Sequence, residues 1–242
     1  MDSLIFQSER KKFRQNSKLS NIIAAAFIAL VKSKLKSIVV GIAGGTGSGK
    51  STIVKEILNQ LGTEKISVIQ HDSYYKNRPE LSFEERTKIN FDHPDSLETN
   101  LLVEHLNLLI SGKNVEIPVF HHFTKYLRDS STKKIESRPI LIVEGILVLN
   151  DKKLRELMNL KVFIDAAPDL RFVRRLKRDL SEYGRSVESV TKQYLTTIRT
   201  MHEEYVEPSK IYADVFIREG CSNEEAVNML VSHLETLQEK HF

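Results

Sequence analysis

The sequence predicts an α/β protein: a doubly wound parallel sheet with a β-hairpin insertion and a helical excursion after its fourth strand. Three observations predict it. Short apolar, β-branched runs alternate with longer helical patterns, as they do where parallel strands are covered by helices. A glycine-rich phosphate-binding motif joins the first of these runs to the first helix. The helical pattern after the fourth run carries Arg171, Arg174, Arg175 and Arg178 at i, i+3, i+4, i+7 spacing.

The strand candidates are Ser37–Ala43, Ile66–His71, Pro139–Glu144, Leu160–Asp165 and Ala213–Arg218, runs of the buried type. Between the first two, a helix from Ser51 puts Ile53, Val54, Ile57, Leu58 and Leu61 on one face, with Gly62 as its C-cap. Val115–Phe123 and the polar stretch Asp129–Lys134 depart from the alternation and predict an antiparallel excursion, a frequent wall of substrate pockets. After Pro168, the segment Asp169–Ser181 predicts a helix with Leu170, Val173, Leu176 and Leu180 on one stripe. A last helix opens with a capping box, Ser222 and Glu225, and continues through Ala226, Leu230, Leu234 and Leu237.

The net charge of +4 is unevenly spread along the 242 residues. Residues 1–37 hold eight Lys or Arg against two acids, which leaves 28 bases and 30 acids in the rest. The main body is therefore slightly acidic, without a basic patch interleaved with aromatics, and nucleic acid is not expected as a partner. Residues 1–37 are expected to form a basic helical extension, and 38–242 one domain. The apolar run Ile22–Val31 has ten residues, against about 20 needed to span a bilayer. It also meets Lys32-Ser33-Lys34 where a cleavage site would need small residues, so neither membrane attachment nor secretion is expected. The single cysteine, Cys221, cannot form an internal disulfide, which fits the reducing cytoplasm.

Gly44-Gly45-Thr46-Gly47-Ser48-Gly49-Lys50-Ser51 matches G-x-x-x-x-G-K-[ST] at every fixed position, after a predicted strand and opening a predicted helix. The glycines let successive backbone N–H groups converge on phosphate oxygens, and the helix N-terminus adds partial positive charge. Lys50 is expected to reach the β- and γ-phosphates and the Ser51 hydroxyl to ligate Mg²⁺. The sheet is thus of the P-loop NTPase type. The motif leaves the reaction open among hydrolases, transporters and kinases. The chain lacks the Asn-Lys-x-Asp and Leu-Ser-Gly-Gly-Gln elements of two large P-loop groups.

Ligands of open α/β sheets bind beyond the carboxyl ends of the strands, so acids there are candidates for chemistry. Glu144 closes its strand before Gly145 and is expected as a magnesium carboxylate. Asp72, after Ile69-Gln70-His71, is placed to take the proton from an attacking hydroxyl. Asp165 precedes Ala166-Ala167-Pro168 and is expected as a plain turn residue. No acid is expected to interleave the four arginines, so their face either lies in solvent or awaits an anion. Ending at Gly184-Arg185, the helix suits a lid over a triphosphate that supplies guanidiniums and excludes water.

At this point the residues resemble the uridine-cytidine kinases, over about residues 38–240. The pieces appear in family order: Gly41 to Thr52, His71-Asp72-Ser73-Tyr74-Tyr75, Asn90-Phe91-Asp92-His93-Pro94-Asp95, and Val143-Glu144-Gly145-Ile146-Leu147. Arg174-Arg175-Leu176-Lys177-Arg178-Asp179, Gly184-Arg185 with Gln193-Tyr194, and Pro208 to Asp214 follow. The resemblance implies a P-loop nucleoside kinase domain with a helical lid. Such a domain would transfer the γ-phosphoryl group of Mg²⁺-bound ATP to the 5′-hydroxyl of a pyrimidine ribonucleoside. Asp72 would be the general base, with Lys50 and Arg178 acting on the phosphates. Gly44 to Thr52 and Arg185 would hold the triphosphate, and Ser51 and Glu144 the metal. Asp92 would grip the ribose 2′- and 3′-hydroxyls, and Arg175, Arg185 and Gln193 would help hold the nucleoside. The resemblance also implies a homo-oligomer, commonly a tetramer.

The sequence departs from the family pattern in the base-reading hairpin, Pro118 to Arg128. A tyrosine hydroxyl is absent at Phe120, and the family's histidine position falls on Lys125 counted forward or on Tyr126 counted back from Arg128. Tyr183 stands where a lid arginine is common, and Ser222 where an acid often meets the adenine. Altered base selectivity with retained ribose selectivity is expected. Two other readings are a related kinase for another small alcohol and a nucleotide-binding regulator with little turnover.

Overall fold

The computed structural model describes residues 37–122, 124–218 and 224–241. The basic extension, the Phe123 end of the predicted hairpin strand, Cys221 and the Ser222 cap lie outside the described residues. The strands are β1 (Ile38–Ala43), β2 (Ile66–Gln70), β3 (Val115–His121), β4 (Leu127–Ile135), β5 (Ile140–Glu144), β6 (Leu160–Asp165) and β7 (Val215–Arg218). Five of them form a parallel sheet in the order β2-β5-β1-β6-β7, while β3 and β4 pair antiparallel. The predicted doubly wound sheet and its hairpin insertion are both present.

The helices are α1 (Lys50–Leu61), α2 (Phe83–Thr87), α3 (Thr99–Ile110), α4 (Lys152–Leu157), α5 (Pro168–Tyr183), α6 (Val187–Gln193) and α7 (Glu224–His241). The predicted face of α1 buries Ile53, Val54, Ile57 and Leu61 against Ile38, Val40 and Ile42 of β1 and Ile140 and Ile142 of β5. Val227, Leu230, Val231 and Leu234 of α7 join the same core. Each such side chain contributes about 1.5–3 kcal/mol of burial. Gly62 caps α1 at φ 90°, a left-handed-side conformation that a side chain would resist. Helix α3, which the sequence did not single out, buries Leu102, Leu106, Leu109 and Ile110 at i, i+4, i+7, i+8. None of the described helices is long and apolar enough to cross a membrane.

Helix α5 overturns one expectation. Its predicted apolar stripe faces outward, with Leu170, Val173 and Leu180 exposed, while Arg171, Arg175 and Asp179 are buried. The arginine face is therefore neither solvated nor without an acid. Asp179, four residues after Arg175, is fully buried and pairs with Arg175 (3.4 Å), Arg178 (2.8 Å) and Arg185 (3.1 Å). A carboxylate inside the cluster offsets the repulsion and the desolvation that would otherwise push the arginines into water. Asp165 also does more than turn the chain: it accepts from Lys210 Nζ at 2.8 Å.

Strand register sets the site. Glu144 lies level with Ile42 on one side and Gln70 on the other, so the carboxyl ends of β1, β2 and β5 open together at the point where the strand order reverses.

Candidate active site

The cradle follows directly from β1. Gly44, Gly47 and Gly49 take φ of 143°, 75° and 99°, values that curl the loop and that side chains rarely adopt. Lys50 Nζ lies within the loop, donating to the carbonyls of Gly44 (2.8 Å) and Gly45 (3.1 Å). Burial lowers its pKa to about 8, against the raising pull of Glu144 and Asp72. The Ser51 hydroxyl donates to Glu144 Oε2 at 3.1 Å, and Gln70 donates to Oε1 of the same carboxylate at 3.1 Å. Hydroxyl and carboxylate oxygens thus meet at the mouth of the cradle.

A cleft of about 630 Å³ runs from Thr46, Lys50 and Ser51 past Asp72 and Glu144 to Arg178. Asp72 belongs to the one-turn segment His71–Tyr74 that β2 runs into, one residue earlier than its predicted end. His71 anchors the turn: burial lowers its pKa to about 4, so it is neutral, and Nε2 lies 3.2 Å from the Thr99 hydroxyl. Burial, first, and then the nearby Asp72 and Asp92 carboxylates raise the pKa of the Tyr75 hydroxyl.

Beside the cleft stands an aromatic group. Tyr75 packs on Phe91 (4.9 Å between centroids) and on Phe120 (5.2 Å), Phe120 on His122 (5.0 Å), and Phe91 stacks on Tyr126 (5.6 Å, 18°). Of the two hairpin candidates, the structure brings Tyr126 here. Lys125 is exposed, and its carbonyl accepts from Arg86 Nε at 3.1 Å. The β3–β4 register explains the choice: pairing through Phe120 and Arg128, then His121 and Leu127, leaves Tyr126 to close the turn at φ 51°. Among the described residues Tyr126 is the one non-glycine at positive φ, a strain of about 1–3 kcal/mol of the kind that collects at functional sites.

Asp92 follows the Asn90 side chain, which accepts its backbone N–H at 3.1 Å. Desolvation raises the Asp92 carboxyl to about 6, opposed by the charge of Arg175, while Asp72 and Lys50 act on it more weakly. From the lid, Arg175 Nη1 donates to Thr46 Oγ1 at 2.9 Å and Nη2 to Gln193 Oε1 at 3.1 Å. Arg185 Nη1 donates to the same Gln193 oxygen at 2.7 Å. Gln193 and Asp179 thus hold Arg175 and Arg185 jointly. The sequence reading gave Asp179 no role, although its i+4 offset from Arg175 was a usable signal. Tyr75, Phe91 and Gln70 were also left without roles, because ring packing and strand register are invisible along the chain.

A P-loop at the end of β1, with the Asp72 and Glu144 carboxylates and arginines of α5 lining one cleft, is the arrangement of a P-loop phosphotransferase. The chain belongs to the phosphoribulokinase / uridine kinase family, whose model matches residues 39–226. It is 49% identical over 198 residues to a uridine kinase of Chloroflexus aurantiacus, covering 82% of this chain and 94% of that one. To a uridine kinase of Clostridium botulinum it is 48% identical over 205 residues, covering 85% and 99%. Among solved structures it resembles phosphoribulokinase from Rhodobacter spheroides, with TM-score 0.57, 16% identity and coverage of 76% and 70%. A putative fructose transport system kinase from Silicibacter sp. TM1040 gives TM-score 0.60 at 16% identity, covering 75% and 90%. These two likenesses concern the fold.

Proposed function

We propose that this protein phosphorylates a pyrimidine ribonucleoside, uridine foremost, at its 5′-hydroxyl with ATP as donor. The observation that carries the reading is one cleft lined by Lys50, Ser51, Asp72, Glu144, Arg175 and Arg178 and by His122, whose ring packs on Tyr75 and Phe120 of the aromatic group, with Asp92 within electrostatic reach of Arg175 and Asp72. The names of the nearly half-identical relatives support it.

In this reading the aromatic rings take the base and Asp92 takes two ribose hydroxyls. That arrangement points the 5′-hydroxyl toward Asp72, which accepts its proton as the oxygen attacks in line. Lys50 and Arg178 meet charge developing on the transferred group, and Gly44 to Thr52 enclose the phosphates. Ser51 and Glu144 fit a magnesium ion, since their oxygens lie together and Gln70 steadies the carboxylate. An ion held there would offset negative charge on the triphosphate. Arg185 and Gln193 close the lid over nucleoside and phosphates. By family resemblance the chain would act as a cytoplasmic homo-tetramer.

ADP release measured over a panel of ribo- and deoxyribonucleosides tests the proposal. Uridine and cytidine should be used, and 2′-deoxyuridine at least tenfold less well, since hydrogen bonds to a charged group are worth about 1.5–3 kcal/mol. The bases should differ less than the sugars, because Phe120 lacks a hydroxyl with which to read them. Equal use of deoxyuridine and uridine would remove Asp92 from the ribose.

A further inference from the structure

A second cavity, about 520 Å³, lies between the first turn of α5 and the helical run after α6, with Gly45 as the part of the cradle that borders it. It shares no lining residue with the catalytic cleft. Its walls are largely apolar, formed by Phe163, Ile164, Ala166, Ala167, Tyr194 and Leu195.

The three acids at its wall, Asp165, Glu203 and Glu207, are matched in number by Arg171, Arg199 and Lys210 but are not paired evenly with them. Asp165 accepts from Lys210 at 2.8 Å, Glu203 from Arg199 at 3.1 Å, and Glu207 lies 3.3 Å from Lys210 and 3.4 Å from His202. Arg171 is the exception. It is 4% exposed, and among the described residues its one hydrogen bond runs from Nε to the Ala166 carbonyl, at 3.1 Å. Asp165 and Glu207 act on it only from beyond ion-pair distance. Its terminal nitrogens have no acceptor among the described residues, and with the side chain lining the cavity, that space is where they can meet one. Nearby, His202 Nδ1 is buried without a partner. The 16-residue helix α5 begins at the same wall, and its N-cap, Ala167, has no side chain to accept its first N–H groups. The Arg171 guanidinium and the uncapped start of α5 therefore offer donors to one mostly apolar space.

We propose that this cavity is a second ligand site, for a small organic anion with an apolar body, whose anionic group pairs with Arg171 and whose body lies against Phe163 and Tyr194. The site is independent of the acceptor used in the catalytic cleft. It also touches the cradle. A Cβ on Gly45 would meet the Arg171 guanidinium, and the Gly45 carbonyl accepts from Lys50 at 3.1 Å. Occupancy is thereby coupled to the affinity for triphosphate.

Benzoate serves as the probe and benzyl alcohol as its neutral counterpart, titrated calorimetrically into the full chain. Benzoate should bind with Kd of 1 mM or below on the order of a small ligand's affinity, and benzyl alcohol or inorganic phosphate about tenfold more weakly or worse. Binding should survive saturation with a non-hydrolysable ATP analogue, magnesium and uridine, with Kd moved at least twofold, roughly the low end of coupling. Arg171→Gln should weaken benzoate about tenfold. The chain has no tryptophan, so Leu195→Trp at the exposed rim gives a reporter that keeps the test valid even where Arg171→Gln does not fold. Its emission should change saturably with benzoate and not with benzyl alcohol. Displacement of benzoate by the analogue and uridine, equal binding of the alcohol or of phosphate, or no response of the reporter would overturn the site. An unchanged Kd on saturation would overturn the coupling through Gly45.

Discussion

Asp72 and Lys50 owe their chemistry to what surrounds them within a few ångströms. Asp72 lines the cleft near Tyr75, and an amide in its place keeps the shape while removing the proposed base. Asp72→Asn should lower kcat by at least about a hundredfold, the scale of general-base catalysis, while the Kd for MgATP stays within about twofold because the cradle is intact. Near-normal turnover in a stopped assay of ADP release would take the base role away from Asp72. Lys50 makes a different prediction. Desolvation lowers its pKa from 10.5 to about 8, so near pH 8 a substantial fraction is neutral in the free protein. A bound triphosphate favours the charged form, so binding should take up protons at pH 8 and fewer at pH 6.5, where Lys50 is already charged. Calorimetry in buffers of different ionisation enthalpy measures this uptake, and Lys50→Met should abolish it. Equal uptake in the Lys50→Met protein would place the titrating group elsewhere.

At the scale of the element, α5 is organised around a buried acid. Its three arginine partners come from its own turns and from the residue after its Gly184 cap, and Gln193 on α6 ties two of them together. Removing one member of a buried charge network costs about 3–5 kcal/mol, since the remaining charges lose their partner. Asp179→Asn should therefore lower kcat at least tenfold with every nucleoside tested, and lower Tm as well. A variant with normal kcat but reduced Tm would show that Asp179 supports the fold without positioning the arginines. The sequence placed α5 within two residues at either end and found the spacing of its arginines. It left the arginine face open between solvent and an anion and missed the buried acid among the arginines, because spacing along a helix does not say what each face meets. Here the charged stripe is buried against the cradle and α6, and the apolar one lies outside.

Across the whole molecule, every proposed site residue lies in the described region after residue 37, on β1, β2, β5 and the hairpin, loops and helices that their ends support. Deleting residues 1–33 should therefore leave kcat and KM for the nucleoside within about twofold, since none of the proposed contacts is removed. A soluble truncation with much lower turnover would make the extension part of the active assembly. The sequence by itself determined the sheet, because buried parallel strands are continuous apolar runs, and β6 appears at the predicted residues Leu160–Asp165. It also determined the cradle, because a loop that must curl around phosphate can be built from few residue types. The tertiary structure alone decided that Tyr126 and not Lys125 reaches the aromatic group, that Asp179 anchors the lid arginines, and that Arg171 faces a separate cavity. Each of those outcomes depends on register, helix rotation or the pairing of charges distant in sequence. Local periodicity fixes none of these, because it records which residues share a face and not what that face meets.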